Sequence, residues 1–158
     1  METEDPDMIH LRAAIAAAAS ARARGNHPFG AVLVGPQGQQ LFAAENTVVT
    51  EHDVTGHAES NLVRMAAQQM NAEDLAACTL YTSTEPCPMC AGAIYWAGIG
   101  RVVYACSEEQ LLALTAHNPD ADSLMLSCRD VFAHGRRTVA VRGPLLEDEA
   151  RVVHEGFW

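Results

Sequence analysis

The chain has no lysine. All ten of its basic residues are arginines, set against twenty acidic residues, and the formal net charge near neutral pH is -10. Nucleic-acid binding draws much of its affinity from Lys and Arg neutralising phosphates, so a chain this acidic would need a local basic patch to grip RNA. The one close basic cluster is Arg129, Arg136 and Arg137. Long apolar runs are also missing: nothing approaches the roughly 18 residues that a membrane-spanning helix requires. The acidic start, Met1 to Asp7, leads into an Ala-rich stretch carrying His10, Arg12, Arg22 and Arg24, which does not read as a secretory signal. A cytoplasmic protein with no membrane partner is expected. Five cysteines, an odd number, argue against a stapled secreted scaffold, so reduced thiols are expected. Aromatics make up only 6% of the chain, and each can be weighed singly.

What is present reads as one α/β domain over residues 1–158, about the size of an ordinary domain. Asp5 or Asp7 can cap a helix opening near Met8 and running to about Arg24, with Gly25 placed to end it. The β-branched run Gly30 to Gly35, the turn Pro36-Gln37-Gly38 and the stretch Leu41 to Asn46 predict a hairpin. A helix from about His57 to Asn71 is followed by a strand at Cys78 to Ser83. A second unit repeats the order, with a helix from Cys87 to about Ala97 and a strand at Arg101 to Cys106. Beyond it lie a short helix at Glu108 to Leu114, a polar loop through Asn118-Pro119-Asp120, a weak strand at Thr138 to Arg142, and a helix from Glu147 onward.

Chemistry concentrates in His57-Ala58-Glu59 and in Glu85-Pro86-Cys87-Pro88-Met89-Cys90. Cys87 and Cys90, three apart at a helix start, share one face of its first turn. The helix N-terminus favours thiolates, the form that binds metal. A lone Cys-x-x-Cys is as often a redox pair; here His-x-Glu lies about 30 residues upstream and shifts the reading to metal. A catalytic zinc takes three protein ligands and keeps a fourth position open. His57 is the natural third ligand, whereas a structural site would need Cys78, Cys106 or Cys128, which are scattered. Glu59, two residues from His57, points to another side of the helix, near the ion without ligating it, as a proton carrier must be. His10, His27, His52, His134 and His154 read as ordinary surface or core histidines.

H-x-E with P-C-x-x-C is the pattern of zinc nucleobase deaminases, and from the first helix through Tyr104 the chain resembles the cytidine deaminase superfamily, in the branch of bacterial guanine deaminases and tRNA adenosine deaminases. The resemblance implies a three-layer α-β-α fold with a central mixed five-stranded sheet, a homodimer, and one zinc ion per chain activating water against the carbon that bears the amino group. It implies Glu59 as the proton carrier, Asn46 and the Ala58 amide as substrate hydrogen-bonders, and Phe29 with His57 flanking the ring. Trp96, within Ile94-Tyr95-Trp96 and expected to contact the substrate, and the run Tyr81-Thr82-Ser83 resemble the guanine deaminase branch. A free base, guanine first, or a related aminated heterocycle or nucleoside is the expected substrate. A tRNA-specific adenosine deaminase is the alternative, and a catalytically silent nucleobase-binding scaffold is the rival of another class. For closing the pocket there are two candidates: the tail from about residue 147, through Phe157 and Trp158, and the loop carrying Asp120.

Overall fold

Residues 2–158 are described by the structure, a computed structural model. Asp5 opens the first helix: its carboxylate accepts the Asp7 amide at 3.0 Å, and Pro6 occupies the first helical position, where no intrahelical amide bond is lost. Helix α1 therefore spans Pro6–Ala23, two residues earlier at its start than expected. Gly25, at φ 90°, turns the chain after it. Strands β1 (Gly30–Val34) and β2 (Gln40–Glu45) form the expected antiparallel hairpin. Gly30 is required there, because a Cβ would collide with the backbone of Ala14 and Ala18 where α1 lies against β1.

The remaining elements follow as α2 (Ala58–Ala67), α3 (Ala72–Ala76), β3 (Thr79–Thr84), α4 (Pro88–Ala97), β4 (Arg101–Cys106), α5 (Glu108–Thr115), α6 (Cys128–Ala133), β5 (Ala140–Arg142) and α7 (Glu147–Val152). The helix expected over His57 to Asn71 stops at Ala67, and a further short helix, α3, follows it. Asn71 opens α3: its carboxamide oxygen accepts the Asp74 amide at 2.8 Å and caps that helix. Helix α6 lies where only loop was expected; its six residues are too few to register as a periodic pattern.

The sheet has five strands in the order β2-β1-β3-β4-β5. β1 is antiparallel to β2 and β3, while β3, β4 and β5 run parallel, which makes the sheet mixed as expected. Side chains alternate between two cores. Ala31, Leu33, Leu80, Val102 and Tyr104 face α2, α3, α4 and α6. Val32, Val34, Tyr81, Val103 and Ala105 face α1 and α7. The C-terminal ends of β3 and β4 thus open side by side, between the two layers, where ligands of open α/β sheets commonly sit.

Candidate active site

His57 and Cys87 are the residues immediately before α2 and α4, and neither side chain caps its own helix. The loop before His57 is pinned: the Thr47 amide donates to Gly56 O at 2.8 Å, and Asn61 Nδ2 donates to Glu45 O at 3.0 Å and to Thr47 Oγ1 at 2.9 Å. Packing of α2 on α4 then brings the two helix starts together. His57 Nδ1 lies 3.5 Å from Cys87 Sγ and 3.6 Å from Cys90 Sγ, and the three ligand atoms fall within 4.8 Å of one another. Zinc bonds of about 2.3 Å to sulfur and about 2.05 Å to nitrogen at a tetrahedral angle put N and S about 3.6 Å apart. The residues therefore fit one zinc ion, with a fourth direction left for a ligand from the cavity. No other His, Cys, Asp and Glu side chains group in this way among the described residues.

Electrostatics agree with the donor set. The Cys87 thiol is brought down to about 4 by hydrogen bonding with Cys90 and with His57, while Cys90, sharing that proton, is pushed up. The Cys87 contact raises His57. Glu59, 6% exposed, is pushed up to about 8, first by burial and then by negative charge at Cys87. Glu108 is pushed up to about 7, again by burial and then by Cys87.

The group opens into a cavity of about 820 Å³. Of the residues expected to meet a substrate, Phe29, Asn46, His57 and Glu59 line it, and so do Asp120, Phe157 and Trp158. Asn46 is 1% exposed; its oxygen accepts the Val48 amide at 3.1 Å, which leaves its NH2 as the free end. Ala58 is buried at the first turn of α2, between the ligand and the carboxyl.

Trp96 is the exception. It is 85% exposed and stands on the outward side of α4, because Cys90, Ala91 and Ile94 occupy the inward side. Its ring meets Tyr95, not this chain's cavity. The expected contact from Trp96 to a substrate in its own subunit is therefore corrected: periodicity of α4 carries it away.

Sequence reasoning missed several lining residues. His27 was set aside as ordinary, yet it lines the cavity and packs on Phe157 and Trp158 at 5.9 and 5.6 Å between centroids. Thr84 and Glu108 carry no signal in the sequence, because Thr in a strand and Glu at a helix start have plain structural uses. His154, also dismissed, is buried and accepts from Trp158 Nε1 at 3.0 Å. With Arg22 holding the carbonyls of Val153 and Glu155, and His117 Nε2 2.8 Å from Trp158 O, the tail lies against the cavity of its own chain.

Residues 5–106 match the family described as the cytidine and deoxycytidylate deaminase zinc-binding region. Over 157 residues the chain is 41% identical to a probable cytosine deaminase of Schizosaccharomyces pombe, covering 99% of this chain and 95% of that one. A guanine deaminase of Bacillus subtilis is 50% identical over 78 residues, 49% of each chain. A solved structure from work on A-to-I editing by tRNA:A34 deaminases has a TM-score of 0.72 at 30% identity, covering 92% of this chain and 99% of that one. The ligand group and Glu59 both fall inside the matched span, and the chain belongs to the cytidine and deoxycytidylate deaminase family.

Proposed function

We propose that the chain is a zinc-dependent hydrolytic deaminase of a free nucleobase, guanine foremost, or of a related aminated heterocycle or nucleoside. The observation that carries this reading is the lining of the cavity. Around the His57, Cys87 and Cys90 group stand Glu59, Glu108, Asp120 and Asp122, and not one arginine of the chain. A neutral ring enters such a space readily, whereas a phosphate-bearing substrate would meet uncompensated like charge.

When bound, zinc supplies the Lewis acidity that makes water nucleophilic near neutral pH. The protein's own residues do the rest. Glu59 takes a proton from the attacking water and delivers protons to the ring nitrogen and the departing ammonia, so that an amino ring and water give an oxo ring and ammonia. Phe29 and His57 flank the ring, the free NH2 of Asn46 donates to a ring acceptor, and the Ala58 amide meets a ring carbonyl. Phe157 and Trp158 cover the opening from the same chain.

Cytosine is the second reading, favoured by the 41% identity to the S. pombe protein along nearly the whole chain. An RNA substrate fits poorly. Arg137 is spent on the Ile94, Tyr95 and Ile99 carbonyls and Arg129 on Tyr104 and the Gly143 carbonyl, and α7 opens with Glu147, Asp148 and Glu149. A silent scaffold would have no reason to keep Glu59 buried beside the ligand group.

A homodimer belongs to the same proposal: Met89 and Trp96, two turns apart on α4, form an exposed apolar stripe suited to a second copy. So does a reducing, cytoplasmic setting, since all five cysteines are free. No helix among the described residues is long and apolar enough to cross a membrane. Ammonia release from zinc-loaded protein, assayed against guanine, cytosine, adenine, their nucleosides and an anticodon stem-loop, tests the reading. Release from guanine or cytosine is expected; release from the RNA alone would overturn it.

A further inference from the structure

Three hydroxyl side chains close β3. Thr82 Oγ1 donates to the Thr84 carbonyl at 2.8 Å, and Ser83 Oγ accepts the Gly30 amide at 3.1 Å. Thr84 Oγ1 is buried with no hydrogen-bond partner. The residue is only 4% exposed, and it lines the cavity. Buried polar side chains are paired in the large majority of folded proteins, so an unpaired hydroxyl on a cavity wall points to a partner that arrives through the cavity.

Glu108 poses the same question one strand over. Thr84 is in register with Cys106 in the parallel pair, and Glu108 follows two residues later as the first residue of α5. It is nine-tenths buried and faces the cavity. Its carboxylate has no hydrogen-bonding or ion-pair partner among the described residues; only its backbone amide is engaged, donating to Glu85 Oε1 at 3.2 Å. Helix capping does not account for it, because the cap of α5 is Ser107, whose hydroxyl accepts the Gln110 amide at 3.1 Å. The Glu108 carboxylate oxygens meet no protein donor among the described residues and are open only toward the cavity. A donor-acceptor hydroxyl and a bare acceptor thus stand at adjacent strand ends, both turned to the same space.

We propose that Thr84 and Glu108 are a specificity-determining pair that reads a lactam edge of the substrate, the Thr84 hydroxyl donating to the ring carbonyl and the Glu108 carboxylate accepting from the ring N–H beside it. The proposal rests on the deaminase reading and narrows its substrate class. Guanine, guanosine and cytosine carry an N–H next to a carbonyl. Adenine and adenosine have no carbonyl, and cytidine has lost the N–H to its sugar. A ring that offers a lone pair to Glu108 leaves two acceptors face to face, and a site built to hydrogen-bond a donor rejects a ring that lacks it. The pair therefore selects amino-oxo rings over amino-only rings without altering the Glu59 chemistry.

Binding of rings that cannot be deaminated tests this apart from turnover. Hypoxanthine and uracil each carry the lactam edge; 1-methylhypoxanthine and 1,3-dimethyluracil have no N–H beside a carbonyl. Titration calorimetry on the zinc-loaded full chain is expected to give at least one parent ring about 10- to 100-fold tighter binding than its methylated form, the range for a hydrogen bond to a charged group. Glu108→Leu should close that gap and Glu108→Gln should restore part of it, since the amide oxygen still accepts. Thr84→Val should weaken parent and methylated rings alike, with zinc content unchanged in all variants. A wild-type chain without the gap, or a gap that survives in Glu108→Leu, overturns the proposal. None of these rings releases ammonia, so a failure here is separate from a failure of the ammonia panel.

Discussion

The two ends of the cavity are built differently. Its inner end, His57, Glu59, Cys87 and Cys90, is set by the starts of two helices packed on each other and on the sheet, within about one helical turn of sequence in each case. Its outer wall, Asp120, Phe157 and Trp158, comes from a loop and from the last residues of the chain, held by Arg22, His117 and His154. The difference teaches that the chemistry of this fold resides in local spacing, which tolerates little change, whereas access depends on tertiary contacts of the tail, such as the one joining Arg22 to Val153, 131 residues apart.

The largest effect should follow from breaking the inner end. Cys87→Ala removes one of three protein ligands, so zinc content after dialysis should fall close to zero and turnover with it; full zinc retention would remove Cys87 from the ligand set. Damage to the outer wall should be milder and leave the metal alone. Deleting Phe157 and Trp158 is expected to cut kcat/KM roughly tenfold or more, since a buried aromatic side chain is worth about 1.5–3 kcal/mol, with zinc content unchanged. Trp96→Ala provides the contrast: it should weaken self-association in sedimentation while leaving the cavity of each chain intact.

Two smaller effects sharpen the comparison through stability. Asp7 sits under the sheet edge with Arg101 bonded at 2.9 and 2.7 Å, Tyr81 at 2.7 Å and Arg142 in contact. Arg101 above all holds its carboxyl well below the usual range. Because its pKa is depressed on folding, its contribution is complete above the unfolded value near 4 and is lost as pH falls further. Asp7→Asn should cost about 3 kcal/mol in urea unfolding at neutral pH and flatten the acid limb of the stability curve.

His154 works the other end. Burial, with Arg22 nearby, lowers it to about 4, so the neutral ring is the folded form, as its bond from Trp158 requires. For a base with a lowered folded pKa, stability is complete above the unfolded value near 6.5 and declines as pH falls from there toward 4. Trp158 fluorescence in a Trp96→Phe background should report the tail loosening in that window, before global unfolding. A tail signal flat from pH 7 to 4 would contradict this.

The same division governs what could be read from the sequence. The grouping of His57, Cys87 and Cys90 was legible because helix spacing places Cys87 beside Cys90 and because His57 opens its own helix. The hairpin and both αβ units followed from β-branched runs bounded by glycine and proline, and the mixed five-stranded sheet from the family resemblance. Helices α3 and α6 were not legible, as five or six residues are too few to show a period. Trp96 misled because resemblance ranked it by neighbours in sequence, while α4 turned it outward. Thr84, Glu108, His27 and His154 each have an ordinary local role, and only the fold shows that a partner is missing or that a cavity lies in front of them.

The most direct measurement is ammonia release by zinc-loaded Glu59→Ala beside wild type, on guanine and on cytosine, with zinc quantified in both proteins. The account predicts that wild type releases ammonia from at least one ring, and that the variant keeps its full zinc but loses turnover by about 10²- to 10⁴-fold. Activity preserved in the variant would contradict Glu59 as the proton carrier, and with it the account of the inner end.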